Sequence, residues 1–151
     1  MNMKYALRSE DTEQINVVSW ASWQRNLHPE LALLHHCPNG GSRNRAEAVK
    51  LKQMGVVAGI PDLHLPVKKG NYIGLYIEMK YNKGRLEESQ KTMLKALAAA
   101  GHYCVVCYGA EEAIDILKEY CELKAIDTGA GENQMQRPNL SILKEGKVKT
   151  L

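Results

Sequence analysis

A chain of 151 residues with 44% hydrophobic and 25% charged side chains has the size and composition of one globular domain, which excludes a generally disordered protein. Its formal net charge of +3 permits a nucleic-acid partner without requiring one. No stretch resembles a secretory signal or a transmembrane helix, so we expect a cytoplasmic protein with no membrane partner. In that compartment the cysteines at positions 37, 104, 107 and 121 are expected as reduced thiols.

A first helix is predicted over about residues 12–26. Asp11 and Gln14 have the spacing of a capping box, and apolar residues recur at helical intervals after them. Glu13 lies on the same stripe as Val17, because residues four apart share a helix face. Glu13 is therefore either a solvated charge at the helix start, favoured by the helix dipole, or a carboxylate that reaches into a site.

The pattern then changes from helical to strand periodicity. Residues 31–36 form a short apolar run of strand length, and residues 43–54 have helix-forming composition. A period of two predicts a hairpin with strands at 62–67 and 72–80. On the second strand the odd positions from 73 to 79 form one apolar face.

Three polar residues share the opposite face of this predicted hairpin. Asp62 begins the first strand, and Glu78 and Lys80 end the second. Because the turn lies at the far end of both strands, the hairpin brings Asp62 close to Glu78. His64 shares the Asp62 face, so it either approaches DNA or a metal or is a partly exposed strand residue.

The rest of the chain predicts helices at 87–100 and 111–124 with a buried strand at 102–108 between them. This order predicts an α/β fold with a mixed central β-sheet flanked by α-helices and a right-handed βαβ crossover. We place the domain at residues 1–126. Residues 127–151 are expected to form a C-terminal tail that is flexible or becomes ordered on a partner.

Two carboxylates at adjacent strand ends predict a metal centre. Oxygen ligands suit Mg²⁺ or Mn²⁺ better than zinc, and such an ion assists phosphodiester hydrolysis. Asp62 and Glu78 are the expected ligands, and the Met79 backbone carbonyl is a third candidate because it lies between two site residues.

Three further residues are candidates for catalysis. Lys80 is placed to orient the attacking water or to stabilise charge that develops on the phosphate. Gln90, near the start of the third helix, is placed to position the water or contact a phosphate. Glu13 is a candidate additional carboxylate, bound either directly or through water. An exposed Glu–Lys pair that forms only a solvated salt bridge is the alternative.

Basic residues lie on helix faces and loops around this centre, where they could contact phosphates without reading sequence. A solvated surface is the alternative for each of them. No Gly-Lys-Ser/Thr motif occurs, so no nucleotide cofactor is expected. The candidate nucleic-acid contacts are Arg43, Arg45, Lys68, Lys69, Lys83, Arg85 and Lys91.

Cys104-x-x-Cys107 has the spacing of a zinc motif, with His35, His36 and Cys37 as candidate additional ligands. A strand conformation would direct the two motif cysteines to opposite faces, however. Buried free thiols are therefore the expectation.

The motifs Gly59-Ile60-Pro61-Asp62, Glu78-Met79-Lys80 and Leu86-x-x-Ser89-Gln90 together resemble the virus-type replication-repair nuclease (VRR-NUC) domain of the PD-(D/E)XK nuclease superfamily. The similarity extends over about residues 13–120 and includes Asn39-Gly40-Gly41. It implies an Mg²⁺- or Mn²⁺-dependent DNA endonuclease that uses Glu13, Asp62, Glu78, Lys80 and Gln90. Minimal, stand-alone members resemble Holliday junction resolvases, which implies a homodimer acting on branched DNA in repair or recombination.

Two other functions stay open from the sequence. One is a non-catalytic nucleic-acid-binding or assembly module of the same fold. The intact Asp62, Glu78 and Lys80 oppose it, because a module without chemistry has no reason to hold two carboxylates beside DNA phosphates. The other is an exonuclease or an RNA-directed nuclease.

Overall fold

The computed structural model describes residues 7–39, 44–124 and 133–151. Within these ranges, four α-helices flank one mixed six-stranded sheet, as the sequence predicts for an α/β fold. None of the helices in the described ranges is long and apolar enough to span a membrane. The helices are α1 (Glu10–Trp23), α2 (Arg45–Gln53), α3 (Glu88–Ala99) and α4 (Ala110–Glu122), and the strands are β1 (His35–His36), β2 (Leu63–Leu65), β3 (Leu75–Lys80), β4 (Tyr103–Tyr108), β5 (Leu140–Lys144) and β6 (Lys147–Thr150).

The strands lie side by side in chain order. Strands β1, β2 and β3 pair antiparallel, β3, β4 and β5 pair parallel, and β6 returns antiparallel to β5. Helices α1 and α4 pack on one face around Val17, Ile77 and Ile116, whereas α3 covers the other face around Leu94 and Val106. Both faces of the parallel centre are therefore covered, as a parallel pairing requires.

Helix α1 begins earlier than its sequence pattern predicts. Ser9 is the N-cap: its hydroxyl accepts the Thr12 N–H at 3.2 Å, and the Thr12 hydroxyl accepts the Ser9 N–H at 2.8 Å. The predicted capping box at Asp11 and Gln14 is therefore wrong, because this reciprocal pair already caps the helix two residues upstream. The shift places Glu10 in the first turn.

The first half of the predicted strand over residues 31–36 belongs to a 3₁₀ helix, Pro29–Leu33, and only His35 and His36 pair as a strand. Proline fixes a backbone angle compatible with a helical turn, and it starts this segment. Helix α2 lies inside the predicted range, and the Asn44 side chain caps it by accepting the Ala46 N–H at 2.9 Å.

The predicted hairpin is confirmed with shorter strands. Leu63 pairs with Ile77, and His64 pairs with Tyr76. The side chains of Leu75, Ile77 and Met79 are buried as the alternation predicts, whereas Ile73 precedes β3 and is 48% exposed.

The crossover from β3 through α3 to β4 joins parallel strands, with Glu78 level with Val106. Cys104 packs in the cluster under α3, whereas Cys107 packs in the cluster under α1 and α4. The two cysteines therefore face opposite sides of the sheet, and the Cys104-x-x-Cys107 motif forms no zinc site.

The expected tail from residue 127 is wrong for its described part, residues 133–151. Strand β5 pairs along four residues of β4, with Ser141 and Leu143 buried on one face. Arg137 bonds Glu119 of α4 at 2.7 Å. A five-residue strand that contains a serine and is followed by a lysine-rich hairpin gives too little apolar alternation to be recognised from sequence. Residues 140–144 therefore belong to the sheet rather than to a loose tail.

Gly59 fixes the distance between the loop before β2 and the start of α3. Its φ of 82° lies in the left-handed region, and a Cβ there would approach the Ser89 carbonyl oxygen to 2.4 Å and the Gln90 nitrogen to 3.0 Å. Only glycine permits both the backbone angle and this approach. The loop that carries Asp62 is thereby held against the helix that carries Gln90.

We expect Gly59→Ala to lower the free energy of unfolding more than Gly55→Ala does. Gly55 also has a positive φ, of 102°, but a Cβ there meets nothing within 4 Å. Gly55→Ala should therefore cost about 1–3 kcal/mol from backbone strain alone, and Gly59→Ala about 1–3 kcal/mol more from overpacking. Urea unfolding of both variants measures the difference, and equal losses would contradict the close approach at Gly59.

Candidate metal centre

Three carboxylates meet where β3 ends. Glu10 comes from the first turn of α1, Asp62 from the residue before β2, and Glu78 from β3. One oxygen of each lies within 4.8 Å of the others. Side chains from three separated parts of the chain thus form one oxygen-lined site, of a kind suited to a hard divalent cation.

Glu78 is the most buried of the three, with 1% exposure. Its Oε1 accepts a hydrogen bond from Gln90 Nε2 at 2.9 Å, and Lys80 Nζ lies 3.4 Å from the same oxygen. Its Oε2 is buried and has no hydrogen-bond partner among the described residues. Burial, followed by the charge of Asp62, raises the pKa of the Glu78 carboxyl to about 8. A carboxylate at this position needs a cation to stay ionised at low cost.

Asp62 is held by the backbone of the strand beside it. Its Oδ2 accepts the Met79 N–H at 2.8 Å. The Met79 side chain is buried in the core. Met79 is therefore held both by its backbone N–H, which bonds Asp62, and by its packed side chain. That the Met79 carbonyl is a metal ligand stays a prediction.

Lys80 provides the positive charge within the site. It is 5% exposed, and its ammonium group lies 3.4 Å from Glu78 Oε1 and 3.9 Å from Glu10 Oε1. Lys80 thus pairs with two of the three carboxyl groups, and the negative charge of the site exceeds what this one ammonium group balances, so a bound cation would be favourable. The sequence-based placement of Lys80 beside Glu78 agrees with this geometry.

Gln90 is buried, and both ends of its amide are engaged by the protein. Its Oε1 accepts the Glu87 N–H at 2.9 Å, which caps α3, and its Nε2 donates to Glu78. Gln90 therefore orients the Glu78 carboxylate. Its predicted contact with water or phosphate stays a prediction.

Glu13 does not join the carboxylate cluster. It is 4% exposed, as its place on the apolar stripe predicts, but its Oε1 bonds Arg8 Nη2 at 2.8 Å and accepts the Ala110 N–H at 3.3 Å. Ala110 begins α4, so Glu13 neutralises a helix N-terminus. Glu10, one turn earlier, contributes the third carboxylate instead. Ser9 at the N-cap is the sequence signal that would have placed Glu10 inside the helix.

The residues present fit a divalent metal ion. The site offers carboxylate oxygens only, one of which is buried without a partner, and hard cations such as Mg²⁺ and Mn²⁺ prefer oxygen ligands. Glu10, Asp62 and Glu78 would hold the ion. Asp62 and Glu78 were predicted for this role and Glu10 was not.

Known proteins carry the same domain. The family model described as VRR-NUC domain matches residues 3–111, which contain the whole carboxylate cluster. The chain belongs to the VRR-NUC family. A solved VRR_NUC domain protein is 32% identical, with a TM-score of 0.66 over 80% of this chain and 92% of that chain. The search of curated proteins found no match. This VRR-NUC domain therefore has a nuclease-family fold, and divalent-metal use in such a family agrees with the acidic cluster.

The basic residues predicted to contact DNA differ in exposure and in whether they form an ion pair. Lys69 bonds Glu30 at 2.9 Å with only 14% of its side chain exposed, and Lys91 bonds Glu88 at 3.1 Å. Arg43 lies outside the described residues. The exposed members are Arg45, Lys68, Lys83 and Arg85.

A basic groove extends from α3 of the VRR-NUC domain to the last strand. It has a volume of ≈ 470 Å³ and is lined by Arg85, Lys91, Lys95, Tyr108 and Lys149, among others. Lys149 was missed from sequence because β6 was not predicted. Two residues of the sequence-based set, Arg85 and Lys91, thus belong to one continuous surface.

We expect Glu10→Gln to reduce the Mn²⁺-induced rise in melting temperature to less than half of the wild-type value. Glu13→Gln is the matched control on the same helix. It should lower the melting temperature without metal, because its hydrogen bonds with Arg8 and with the Ala110 N–H weaken. It should leave the Mn²⁺ response intact. Thermal unfolding with Mn²⁺ and with EDTA measures both effects. The opposite pattern would make Glu13 the ligand.

The raised pKa of Glu78 predicts a pH dependence of stability without metal. The folded protein binds the Glu78 proton more tightly than the unfolded chain, whose pKa is near 4.5. The resulting stabilisation is complete below pH 4.5 and is lost as the pH rises towards 8. In EDTA, the wild-type melting temperature should fall relative to Glu78→Gln by roughly 4 °C or more between about pH 5 and pH 8.5. Parallel pH profiles would refute this prediction.

Proposed function

We propose that this VRR-NUC domain is an Mg²⁺- or Mn²⁺-dependent DNA endonuclease. The observation that carries the proposal is the buried, unpartnered Oε2 of Glu78, in a cluster with Asp62 and Glu10 and beside the Lys80 ammonium group. A surface salt bridge would leave no carboxylate oxygen buried and unsatisfied. A module that only binds DNA would gain nothing from the free-energy cost of burying a carboxylate oxygen without a partner.

Each residue has a distinct part in the proposed reaction. Glu10, Asp62 and Glu78 hold the metal ion, and Gln90 keeps Glu78 in orientation. A bound Mg²⁺ or Mn²⁺ would supply Lewis-acid chemistry there, which polarises phosphoryl oxygens and lowers the pKa of water. Lys80, buried and already oriented by two carboxylates, orients the attacking water or stabilises the charge that develops on the phosphate.

The basic groove supports DNA as the substrate. Arg85, Lys95 and Lys149 lie along it, and α3, which borders it, also carries Gln90 of the metal centre. Contacts of this type bind phosphates without reading bases. A preference for branched DNA, as in Holliday junction resolvases, rests on the resemblance of the motifs to minimal VRR-NUC proteins, and we include it in the proposal.

A homodimer is part of the same proposal. Helix α1 exposes apolar side chains on the face away from the core, with Ile15 49%, Val18 40% and Trp23 80% exposed. A second copy of the chain could cover this face, and an apolar patch on a helix is typical of subunit contacts. A solution mass equal to the 16.9 kDa monomer would contradict this part.

We expect Asp62→Asn and Lys80→Ala to reduce metal-dependent cleavage by about 10²-fold or more while DNA binding is retained. Labelled four-way junction, flap, duplex and single-stranded DNA are incubated with Mg²⁺, with Mn²⁺ and with EDTA. Asp115→Asn, which removes an exposed carboxylate from α4, is the matched control and should cleave like wild type.

The outcomes separate the competing functions. Cleavage by Asp62→Asn at the wild-type rate would show that the proposed centre is wrong. Retained binding without cleavage of any substrate would indicate a non-catalytic module. Stepwise shortening from an end, or preference for RNA, would indicate an exonuclease or an RNA-directed nuclease.

A further inference from the structure

A second group of metal-ligating side chains lies at the β1 edge of the sheet. His35 and His64 are directly opposite each other on the antiparallel pair of β1 and β2. Cys37 follows His35 by two residues, so both belong to the same face of that edge. One ligand atom of each of the three lies within 4.8 Å of the others. Nitrogen and sulfur donors distinguish this group from the carboxylate cluster.

His35 already has the hydrogen bond that a metal-binding histidine requires. Its Nδ1 lies 2.9 Å from the Leu33 carbonyl oxygen, which can only accept. The proton of the neutral ring is therefore on Nδ1, and Nε2 has an available lone pair. A backbone carbonyl that fixes the tautomer and the ring orientation in this way is the usual support for a metal-binding histidine.

His64 is held in place by aromatic contacts. Its ring stacks on that of Tyr76, with the ring centroids 4.1 Å apart and an interplanar angle of 1°. The His35 and His64 rings form a T-shaped pair with centroids 5.1 Å apart. These contacts fix the orientation of the imidazole ring, which is a usual zinc ligand.

Cys37 completes the set with a thiol that is partly accessible. It is half-buried, unlike the three buried cysteines. On binding, the sulfur–hydrogen bond breaks, the proton passes to solvent, and the thiolate electron pair forms the bond to the metal.

We propose that His35, Cys37 and His64 form a transition-metal site of the zinc class that ties β1 to β2. Two imidazoles and one thiolate are ligands that zinc accepts in tetrahedral sites, and three protein ligands leave a fourth position for water. The site would stabilise an edge strand that is only two residues long. It is separate from the predicted Cys104-x-x-Cys107 motif, and of the ligands suggested with that motif it retains His35 and Cys37.

A rival group at the other side of the fold is less suited to a metal. His28, Glu30 and Cys121 also have ligand atoms within 4.8 Å of one another. Glu30, however, is paired with Lys69 at 2.9 Å, and Cys121 is only 5% exposed. A metal there would have to displace a salt bridge and reach a buried thiol.

Cobalt titration tests the proposal without any cleavage assay. The reduced, metal-free protein is titrated with Co²⁺, and the thiolate-to-cobalt charge-transfer absorption in the near ultraviolet reports the ligand sulfur. We expect the band in wild type and its loss in Cys37→Ser. His64→Gln should weaken the apparent Co²⁺ affinity by about 10²-fold or more. Mutation of residues that only hydrogen-bond to a metal ligand already lowers metal affinity by about 10–100-fold. Zn²⁺ should displace the cobalt.

Two controls keep the result decisive. Cys121→Ala removes the thiol of the rival group and should retain the band, whereas loss of the band only in that variant would overturn the assignment. Circular dichroism verifies that each variant is folded, and His64→Gln tests the site through a different ligand if Cys37→Ser is unstable. No charge-transfer band in folded wild-type protein would refute the site. Because carboxylates give no thiolate band, failure of the nuclease proposal would leave this test unaffected.

Discussion

The buried carboxylate of Glu78 imposes the main constraint on this structure. A group with 1% exposure and with Asp62 nearby is costly to ionise, and Gln90 and Lys80 satisfy only its Oε1. The remaining oxygen requires either a proton or a cation. A proton stabilises this carboxyl group at low pH, and a bound metal ion would do so where the carboxylate is ionised. The same burial therefore links stability, metal affinity and the proposed chemistry.

The surrounding fold serves to hold that carboxylate beside its neighbours. Strand β3 lies inside the sheet with β2 on one side and β4 on the other, so its backbone cannot shift without breaking two ladders. The close approach at Gly59 sets the Asp62 loop against the start of α3, and Gln90 converts that helix start into a support for Glu78. Precise placement by rigid elements is what catalysis through a metal requires.

Local patterns in the sequence predicted much of this site. The period of two in β3 correctly placed Glu78 and Lys80 on one face, and the hairpin correctly placed Asp62 beside them, because alternation depends on neighbours in the chain. Glu10 could not be distinguished from Glu13 in this way, since both lie on the first turns of α1. Which of the two joins the metal centre depends on where the Ser9 cap starts the helix. It also depends on α4, because the Ala110 N–H at its N-terminus bonds Glu13.

Long-range pairing determines the features that the sequence did not reveal. The register that opposes His35 to His64 joins residues 29 apart in the chain, and the pairing of β5 with β4 joins residues 36 apart; both carry weak local signals. Asp62 connects the metal centre to the β1 edge of the sheet. Its carboxylate accepts the Met79 N–H in the metal centre, and its carbonyl accepts the Cys37 N–H at 2.9 Å. Any ligand that orders the β1 edge would therefore also restrain the backbone of a residue that the proposed nuclease reaction needs, which joins the two sites through one peptide.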